Sequence, residues 1–562
     1  MVQKIAAKWI QPPTIPSEVS ESLSEFPLII RQVLSTRGFD NAQSAWQFLN
    51  ASAALEDPFL LIDMDKTVTR IQEAIDQKEQ IAVYGDFDVD GVTATVLLVE
   101  VLQRLGARVV PYIPDRIDEG YGLNHNSLRK LFDQEIRLII TVDCGIRSVK
   151  EVEFIQSKGV DIIVTDHHHP RERIPPAYAI ICQKRTGDIY PNKNLAGVGL
   201  AYKLATALLL QFDDLTFNVE NWLDLVALGT VADIVPLTGE NRTLVRKGIE
   251  RLREGKRPGV GALAGVSGIQ LQNINSGDIG YRLGPRLNAA GRLQSAYLSL
   301  QLLLEKTREK AASIAIELDN LNRKRQQLTE SVRKEALRIV KSSGQEILLF
   351  AADEDFHEGI VGLAASKLTD LFYRPAIVGK ISNGFMRASC RSIPEFHITK
   401  MLDECMDLLE QHGGHARAAG FTVAEESIIE LQERLTQIAV RELRGMELIP
   451  VIKPDAEVLL SDLHPGLLDY FDMFEPTGND NPKPLLISRG VIVKRKRIVG
   501  REGQHLKLIV SDGRFTFDAI AFGFGSWLES LTKKIDIIFT YERNYYNGLP
   551  NLQLNIKDLK LH

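Results

Sequence analysis

An α/β protein built on a parallel sheet, with further domains ending in a β-barrel, is the fold class this chain predicts, on three observations. Between about residues 79 and 235, short β-branched apolar runs alternate with amphipathic helical stretches. From about 449 onward, strands follow one another with only turns between them. The length of 562 residues exceeds what one core usually holds, so several domains are expected.

The segments QIAVYGD, ARVVPYIP, RLIITVDC and VDIIVTDHH read as strands, with helical periodicity between them in TATVLLVEVLQRLG and SVKEVEFIQSKG. Each strand is thus followed by a crossover, so the strands run parallel and the ligand site lies beyond their carboxyl ends. Residues 296–345 are rich in Leu, Glu, Lys, Arg and Ala and read as long connecting helices. A second α/β region, 346–448, opens with the strand EILLFAA and contains the glycine-rich GGHARAAG. In 449–562, KPLLISRGVIVKRKRIVG, HLKLIVSDG, FTFDAIAFGFG and KIDIIFTYERNYYNGLPNLQLNIKDLKL predict an OB-like β-barrel. The first α/β domain is expected over 51–295, with 1–50 as an extension packed upon it.

The apolar fraction of 44% with 25% charged residues is that of an ordinary globular protein, and no apolar run reaches the roughly 20 residues that cross a bilayer. No membrane association is expected, and an amino terminus without a secretory-type apolar run points to the cytoplasm. The four cysteines, Cys144, Cys182, Cys390 and Cys405, form no CxxC pair, which argues against a disulfide framework and a structural zinc site. A net charge of -6 is against a protein that simply coats nucleic acid, although acids gathered at a metal site would mask a cationic groove in that sum.

Acidic and imidazole side chains recur at what read as four strand ends: Asp86, Asp88 and Asp90 in GDFDVDG, Asp143 in TVDCG, Asp166, His167 and His168 in VTDHHH, and Asp233 in ALGTVADIVPL. Taken singly, an Asp after a strand more often caps a helix or turn than holds an ion. Four such motifs on one sheet reverse that balance, because caps require neither imidazole pairs nor three alternating carboxylates. Convergent carboxylates repel one another, and hard cations remove that cost. Carboxylates with imidazole and without thiolate suit Mn²⁺ or Mg²⁺, and an Asp can bridge two such ions. The chemistry implied is phosphoester hydrolysis, with a nearby His giving a proton to the leaving oxygen.

Those four motifs, in that order, resemble the DHH phosphoesterase superfamily, and GGHARAAG resembles its associated second domain. LAGVGLAYKL, GENRTLVRKG, YRLGPRLNAAGRL, FHEGIVGLAASKL and EPTGNDNP extend the resemblance, over nearly the whole chain, to the RecJ exonuclease family. The resemblance implies a DHH catalytic domain, a DHH-associated domain and a nucleic-acid-binding barrel. It implies removal of nucleotides from the 5′ end of single-stranded DNA in recombination and repair. It makes Asp88, Asp90, Asp143, His167 and Asp233 ligands of two divalent cations, with Asp143 bridging. It sets His168 against the scissile phosphate and Asp166 behind the histidines, while Asp86 lends support or a further ligand. Ser389 and Arg391, in ASCRSIPEF, would bind the terminal phosphate, and Arg116, Arg286 and Arg292 would contact the strand. A single-strand-binding protein and a RecQ-type helicase are the partners it suggests, for an enzyme expected to be a monomer. Asp480 stands where the family pattern has glycine.

His415 follows two glycines that would let the backbone approach a phosphate. The barrel carries one dense basic run, Lys494, Arg495, Lys496 and Arg497 between Arg489 and Arg501, with Tyr541, Tyr545 and Tyr546 as candidate base stackers or, more commonly for such residues, barrel core. A basic track beside aromatics suits a single strand, and a solvated edge strand would show the same charges. Two other readings stand beside the exonuclease. One is a DHH phosphodiesterase of nanoRNA or cyclic dinucleotides, which would lack LGPRLNAAGRL and the barrel. The other is a noncatalytic strand-binding scaffold, which would have lost the metal motifs.

Overall fold

The computed structural model describes residues 6–116, 119–120, 122–212, 218–500, 502–546 and 549–562. The chain forms two compact units, one of residues 46–323 with 473–483 and one of 1–45, 324–472 and 484–562.

In the first unit, β1 (Gln80–Gly85), α1 (Val89–Arg104), β2 (Arg108–Tyr112), α2 (His125–Asp133), β3 (Leu138–Val142), α3 (Val149–Gln156), β4 (Asp161–Thr165) and β5 (Ala179–Ile181) build a sheet ordered β2-β1-β3-β4-β5. All its neighbouring strands are parallel. The strands read as unbroken apolar runs because both faces are covered. Ile81 and Val83 of β1 join a core with α1, α4 (Gly197–Gln211) and α5 (Leu223–Ala232), whereas Ala82 and Tyr84 pack with Leu128 and Leu131 of α2 and Val152 and Ile155 of α3. The chain goes from β1 to β2 on one side and then to β3 on the other, so strand order reverses between β1 and β3 and a crevice opens at their carboxyl ends.

Helices α6 (Gly239–Arg253) and α7 (Gly284–Leu293) follow, the second entered through a turn of π-helix, Ile279–Leu283. Arg242 of α6 is fully buried and donates to five main-chain carbonyls, those of Phe48, Met473, Phe474, Glu475 and Pro476. GENRTLVRKG and EPTGNDNP, far apart in sequence, therefore meet in this unit. Asp480 adopts φ 55, a left-handed conformation that glycine would hold freely and Asp tolerates.

Helix α8 (Arg308–Ser342) leads into the second unit, where β6 (Leu349–Asp353), α9 (Glu358–Phe372), β7 (Ala376–Ser382), β8 (Phe385–Arg391), β9 (Leu409–His415) and β10 (Ala418–Ala424) form a mixed sheet ordered β9-β10-β8-β7-β6. GGHARAAG is thus a hairpin, β9 to β10. β11 (Leu486–Val499), β12 (His505–Ser511), β13 (Thr516–Ala521), β14 (Lys534–Tyr546) and β15 (Leu549–Leu561) close a barrel in the order β11-β12-β13-β15-β14, with β14 pairing back onto β11. Only β13 and β15 run parallel within that ring, so the OB-like expectation holds.

The N-terminal segment differs from its expected place. Lys8–Trp9 pairs with Val451–Ile452, Trp9 Nε1 donates to Asp558 at 2.7 Å, and Arg37 pairs with Asp455 at 2.9 Å. These partners draw residues 6–45 into the second unit. No described helix is long and apolar enough to cross a membrane. The four cysteines are free and buried.

Candidate metal centre

The crevice between β1 and β3 gathers the acids and imidazoles of all four motifs, each by a different local device. After β1 the chain turns at once into α1, and Asp88 caps that helix by accepting from the amides of Asp90 and Gly91 at 2.9 and 3.1 Å. The turn parts the alternating carboxylates, so that Asp86 and Asp88 gather with Asp143 while Asp90 gathers with His167 and Asp233. Gly91 permits the turn, since a β-carbon there would lie 2.5 Å from Asp86 O. Asp90 is buried, and its carboxylate accepts from Gly197 N at 2.6 Å and Val198 N at 2.8 Å, at the amino end of α4.

Asp143 follows β3 at φ 63. Its amide still bonds Thr165 O at 3.0 Å, so the ladder continues while the carboxylate swings into the crevice. Asp143 Oδ1 lies 3.1 Å from His167 Nε2, which is 3.6 Å from Asp233 Oδ2. Asp166 receives Ile146 N at 2.9 Å, His168 N at 3.0 Å and His168 Nδ1 at 2.7 Å. Asp233 differs from its expected setting, for it ends helix α5 and not a strand. Helix α5 is buried on nearly all sides and shows no amphipathic period, so its run resembles a buried strand.

Burial, and behind it the charge of Asp88, pushes Asp86 well above the usual carboxylate range and Asp90 up to about 7. Burial with the neighbouring carboxylates does the same to Asp143 and Asp233. Burial drives His167 down to about 3, so its ring is neutral, the form that ligates. Burial also opposes charge on His168, yet the Asp166 bond and charge hold that imidazole above its ordinary value.

The residues fit divalent cations. Asp86 Oδ1, Asp143 Oδ1 and His167 Nε2 are buried without a well-formed hydrogen bond among the described residues. Three sets of candidate ligand atoms, Asp86/Asp88/Asp143, Asp143/His167/His168 and Asp90/His167/Asp233, each lie within 4.8 Å of one another, and Asp143 belongs to two of them.

Residues that the motifs alone did not single out complete the surroundings. Asn288 Oδ1, in LGPRLNAAGRL, accepts from Val89 N at 3.2 Å, and a β-carbon on Gly291 would lie 2.8 Å from Phe87 O, so α7 abuts the GDFDVDG turn. Lys184, just beyond β5, is half-buried, and burial lowers its pKa while Asp233 and Asp166 counteract. Arg147 donates to His169 O at 2.9 Å. Neither cation lies in a motif whose spacing signals a site.

Among the expected strand contacts, Arg116 lies over the Phe87 ring at 4.8 Å and Arg292 is half-buried near the end of α7. Arg286 donates to Asp319 Oδ1 at 2.9 Å and Arg282 O at 2.8 Å. In the second unit, Ser389 and Arg391 lie on β8 against the first turns of α9, where a β-carbon on Gly362 would meet Ser389 Oγ at 3.2 Å and Arg391 Nη2 at 3.1 Å. His415 is exposed at the end of β9. Lys494, Arg495, Lys496 and Arg497 are exposed on β11, and Lys496 Nζ donates to Leu528 O at 2.7 Å. Tyr541 is no surface stacker: it is buried, edge-on to Phe471 and Phe517. Arg501 and the side chains of Tyr545 and Tyr546 lie outside the described residues.

Known proteins match along the chain. The DHH family, N-terminal domain, matches residues 80–230, the DHHA1 domain 344–441 and the RecJ OB domain 454–558. A Bacillus subtilis protein named single-stranded-DNA-specific exonuclease RecJ is 38% identical over 546 residues, 96% of this chain and 69% of that one. Its namesake from Dickeya dadantii is 34% identical, over 97% of this chain and 98% of that one. Crystal structures of RecJ from Thermus thermophilus in complex with Mn²⁺ and with Mg²⁺ superpose with TM-scores of 0.84 and 0.77 at 27% and 26% identity. They cover 100% and 99% of this chain, and 80% and 78% of the other.

Proposed function

Because the chain belongs to the RecJ family of single-stranded-DNA-specific exonucleases, we propose that Asp88, Asp90, Asp143, His167 and Asp233 hold two divalent cations, Mn²⁺ or Mg²⁺, and that hydrolysis proceeds from the 5′ end. The protein is a single-stranded-DNA-specific exonuclease, a phosphodiester hydrolase. The observation that supports the metal assignment is the set of buried atoms without a well-formed hydrogen bond on Asp86, Asp143 and His167 within a ring of acids. When bound, such cations supply Lewis acidity toward phosphoryl oxygens and acidify the attacking water.

The chain's own residues do the rest. Asp143, common to two ligand sets, would serve both cations, and Asp86 would support that side of the centre. Asp166, fixed by the Ile146 amide, orients His168 through Nδ1 and leaves Nε2 for the substrate. The Asp166 bond and charge favour the protonated form of His168 against the cost of burial, which suits it to give a proton to the leaving oxygen. Ser389 and Arg391 receive the terminal 5′-phosphate, for which a guanidinium fork is suited. Arg116, Arg286, Arg292, His415 and the β11 cations follow the strand, Arg286 from a side chain also bonded to Asp319. A single-strand-binding protein and a RecQ-type helicase supply the substrate to a monomeric enzyme in the cytoplasm, in recombination and repair. The intact metal motifs and the barrel favour neither a scaffold nor a dinucleotide hydrolase.

A long single strand labelled at its 5′ or its 3′ end, incubated with Mn²⁺ or EDTA, tests this reading against Asp143→Ala. Early loss of the 5′ label that needs both metal and Asp143 is expected. Inertness on long strands with turnover of dinucleotides would overturn it.

A further inference from the structure

The carboxylate of Asp233 is aimed by a turn that its own sequence does not favour. The next residue, Ile234, adopts φ 61, a left-handed conformation costly for a β-branched side chain. Nor does packing hold it there, since Ile234 is 70% exposed. What holds the turn is a segment more than two hundred positions away. Asn479 Nδ2 donates to Ile234 O at 3.0 Å, and Leu237 N donates to Asn479 O at 2.9 Å, so one asparagine spans the turn from both ends. Gly478 fits against Leu237 so closely that a β-carbon would lie 2.8 Å from its Cδ1.

Asn479 is itself held firmly. Gly478 and Asn481 exchange backbone bonds around it at 2.9 and 3.3 Å. Asn481 Nδ2 donates to Phe474 O at 2.9 Å and Pro476 O at 2.8 Å, two of the carbonyls that Arg242 also grips. Residues 473–483 therefore form a pre-set clasp, and Asn479 carries a side-chain bond from it to the metal-bearing turn.

We propose that Asn479 is a positioning residue for the metal centre: by fixing the strained Ile234 turn it sets the aim of Asp233 toward the cation shared with Asp90 and His167. The inference rests on the metal assignment above. It follows that Asn479 acts on cation affinity and on the metal concentration needed for turnover, not on the hold on the strand. Removing a group that orients a ligand costs on the order of tenfold or more in metal affinity.

The test uses the full chain, stripped of metal and titrated with Mn²⁺ while free Mn²⁺ is followed by electron paramagnetic resonance. Asn479→Ala is expected to weaken Mn²⁺ binding about tenfold and to raise the Mn²⁺ needed for half-maximal turnover in parallel. KM for single-stranded DNA and the melting temperature of the metal-free protein stay near those of the unsubstituted protein. Ile234→Gly, which relieves the backbone strain at an exposed position, is expected to recover much of the lost affinity in the double variant. Should Asn479→Ala not fold, Asn479→Asp keeps the size but cannot donate to Ile234, and carries the same expectation. Mn²⁺ affinity within twofold of the unsubstituted protein in a folded variant overturns the inference and leaves the metal assignment standing. Failure of the unsubstituted protein to bind Mn²⁺ overturns both.

Discussion

A β-carbon placed on Gly197 would lie 2.6 Å from the β-carbon of Asp143 and 2.9 Å from its Oδ1. The same glycine donates its amide to Asp90, so it serves carboxylates on both sides of the crevice. Gly197→Ala must displace Asp143, and a shift of about 1 Å in a reacting group costs roughly a hundredfold. We expect kcat/KM on single-stranded DNA to fall about a hundredfold, with the affinity for the strand, measured in EDTA by fluorescence anisotropy, unchanged.

Asp166 and His168 make one unit through their 2.7 Å bond. Asp166→Asn removes the charge that raises the His168 pKa and frees its ring to turn. Loss of such an orienting partner typically costs 10- to 100-fold. Single-turnover cleavage should slow by about that factor at saturating Mn²⁺, with His168→Ala at least as impaired and the double variant no worse than His168→Ala.

The metal-free protein should be more stable at pH 6 than at pH 8. Carboxyls whose folded pKa lies above the unfolded value of about 4 contribute stability that is complete below pH ~4 and lost as pH rises through the folded value. Asp90, up to about 7, with Asp86, Asp143 and Asp233 higher than usual, loses it across that window, and so does His168. His167, down at about 3, works the other way, but mostly below its unfolded value of about 6.5. Thermal melts in EDTA should show a higher midpoint at pH 6, a shallower pH trend in Asp90→Asn, and an inverted trend with saturating Mn²⁺, which needs the ionised carboxylates.

Arg242 holds the clasp segment by its carbonyls, none of which a methionine could bond. Arg242→Met leaves buried acceptors unsatisfied and should cost on the order of 3 to 5 kcal/mol. Arg242→Lys should recover only part of that, lacking the planar fork. Urea melts of all three proteins give the comparison.

In the barrel, Lys496 is tied to Leu528 O, which leaves Lys494, Arg495 and Arg497 as the exposed β11 cations to test against phosphate. If they meet phosphates, replacing all three by Ala removes about 0.7 per contact from the slope of log K against log salt, roughly 2 in total. Binding titrations of an oligothymidylate across salt concentrations measure it. An unchanged slope would mark the run as a solvated edge strand.

The parallel strands are legible because burial on both faces writes itself as unbroken β-branched runs, as in β1 and β3. β5, only Ala179–Ile181, is too short to carry such a signal. The acids and imidazoles are legible as chemistry at element ends, but Asp233 reads as a strand end because a helix buried all round has no period to betray it. Arg286 reads as a strand contact and Tyr541 as a base stacker or barrel core, and local pattern shows neither the bond of Arg286 to Asp319 nor the place of Tyr541 edge-on to the Phe471 and Phe517 rings. Local pattern offers no link at all from Asn479 to Ile234 or from Arg242 to Phe474, since these meetings depend on a chain return of some two hundred residues.

That return also sets a schedule for biogenesis. Residues 46–323 leave the ribosome well before 473–483, and at about 5 to 20 residues per second the interval is roughly 8 to 30 seconds. During it the nascent enzyme carries an unlatched Ile234 turn and an Arg242 without the carbonyls of Met473, Phe474, Glu475 and Pro476. A nuclease assembled in this order matures its cutting centre late, and a chain stalled or proteolysed before residue 473 would be released with that centre unfinished.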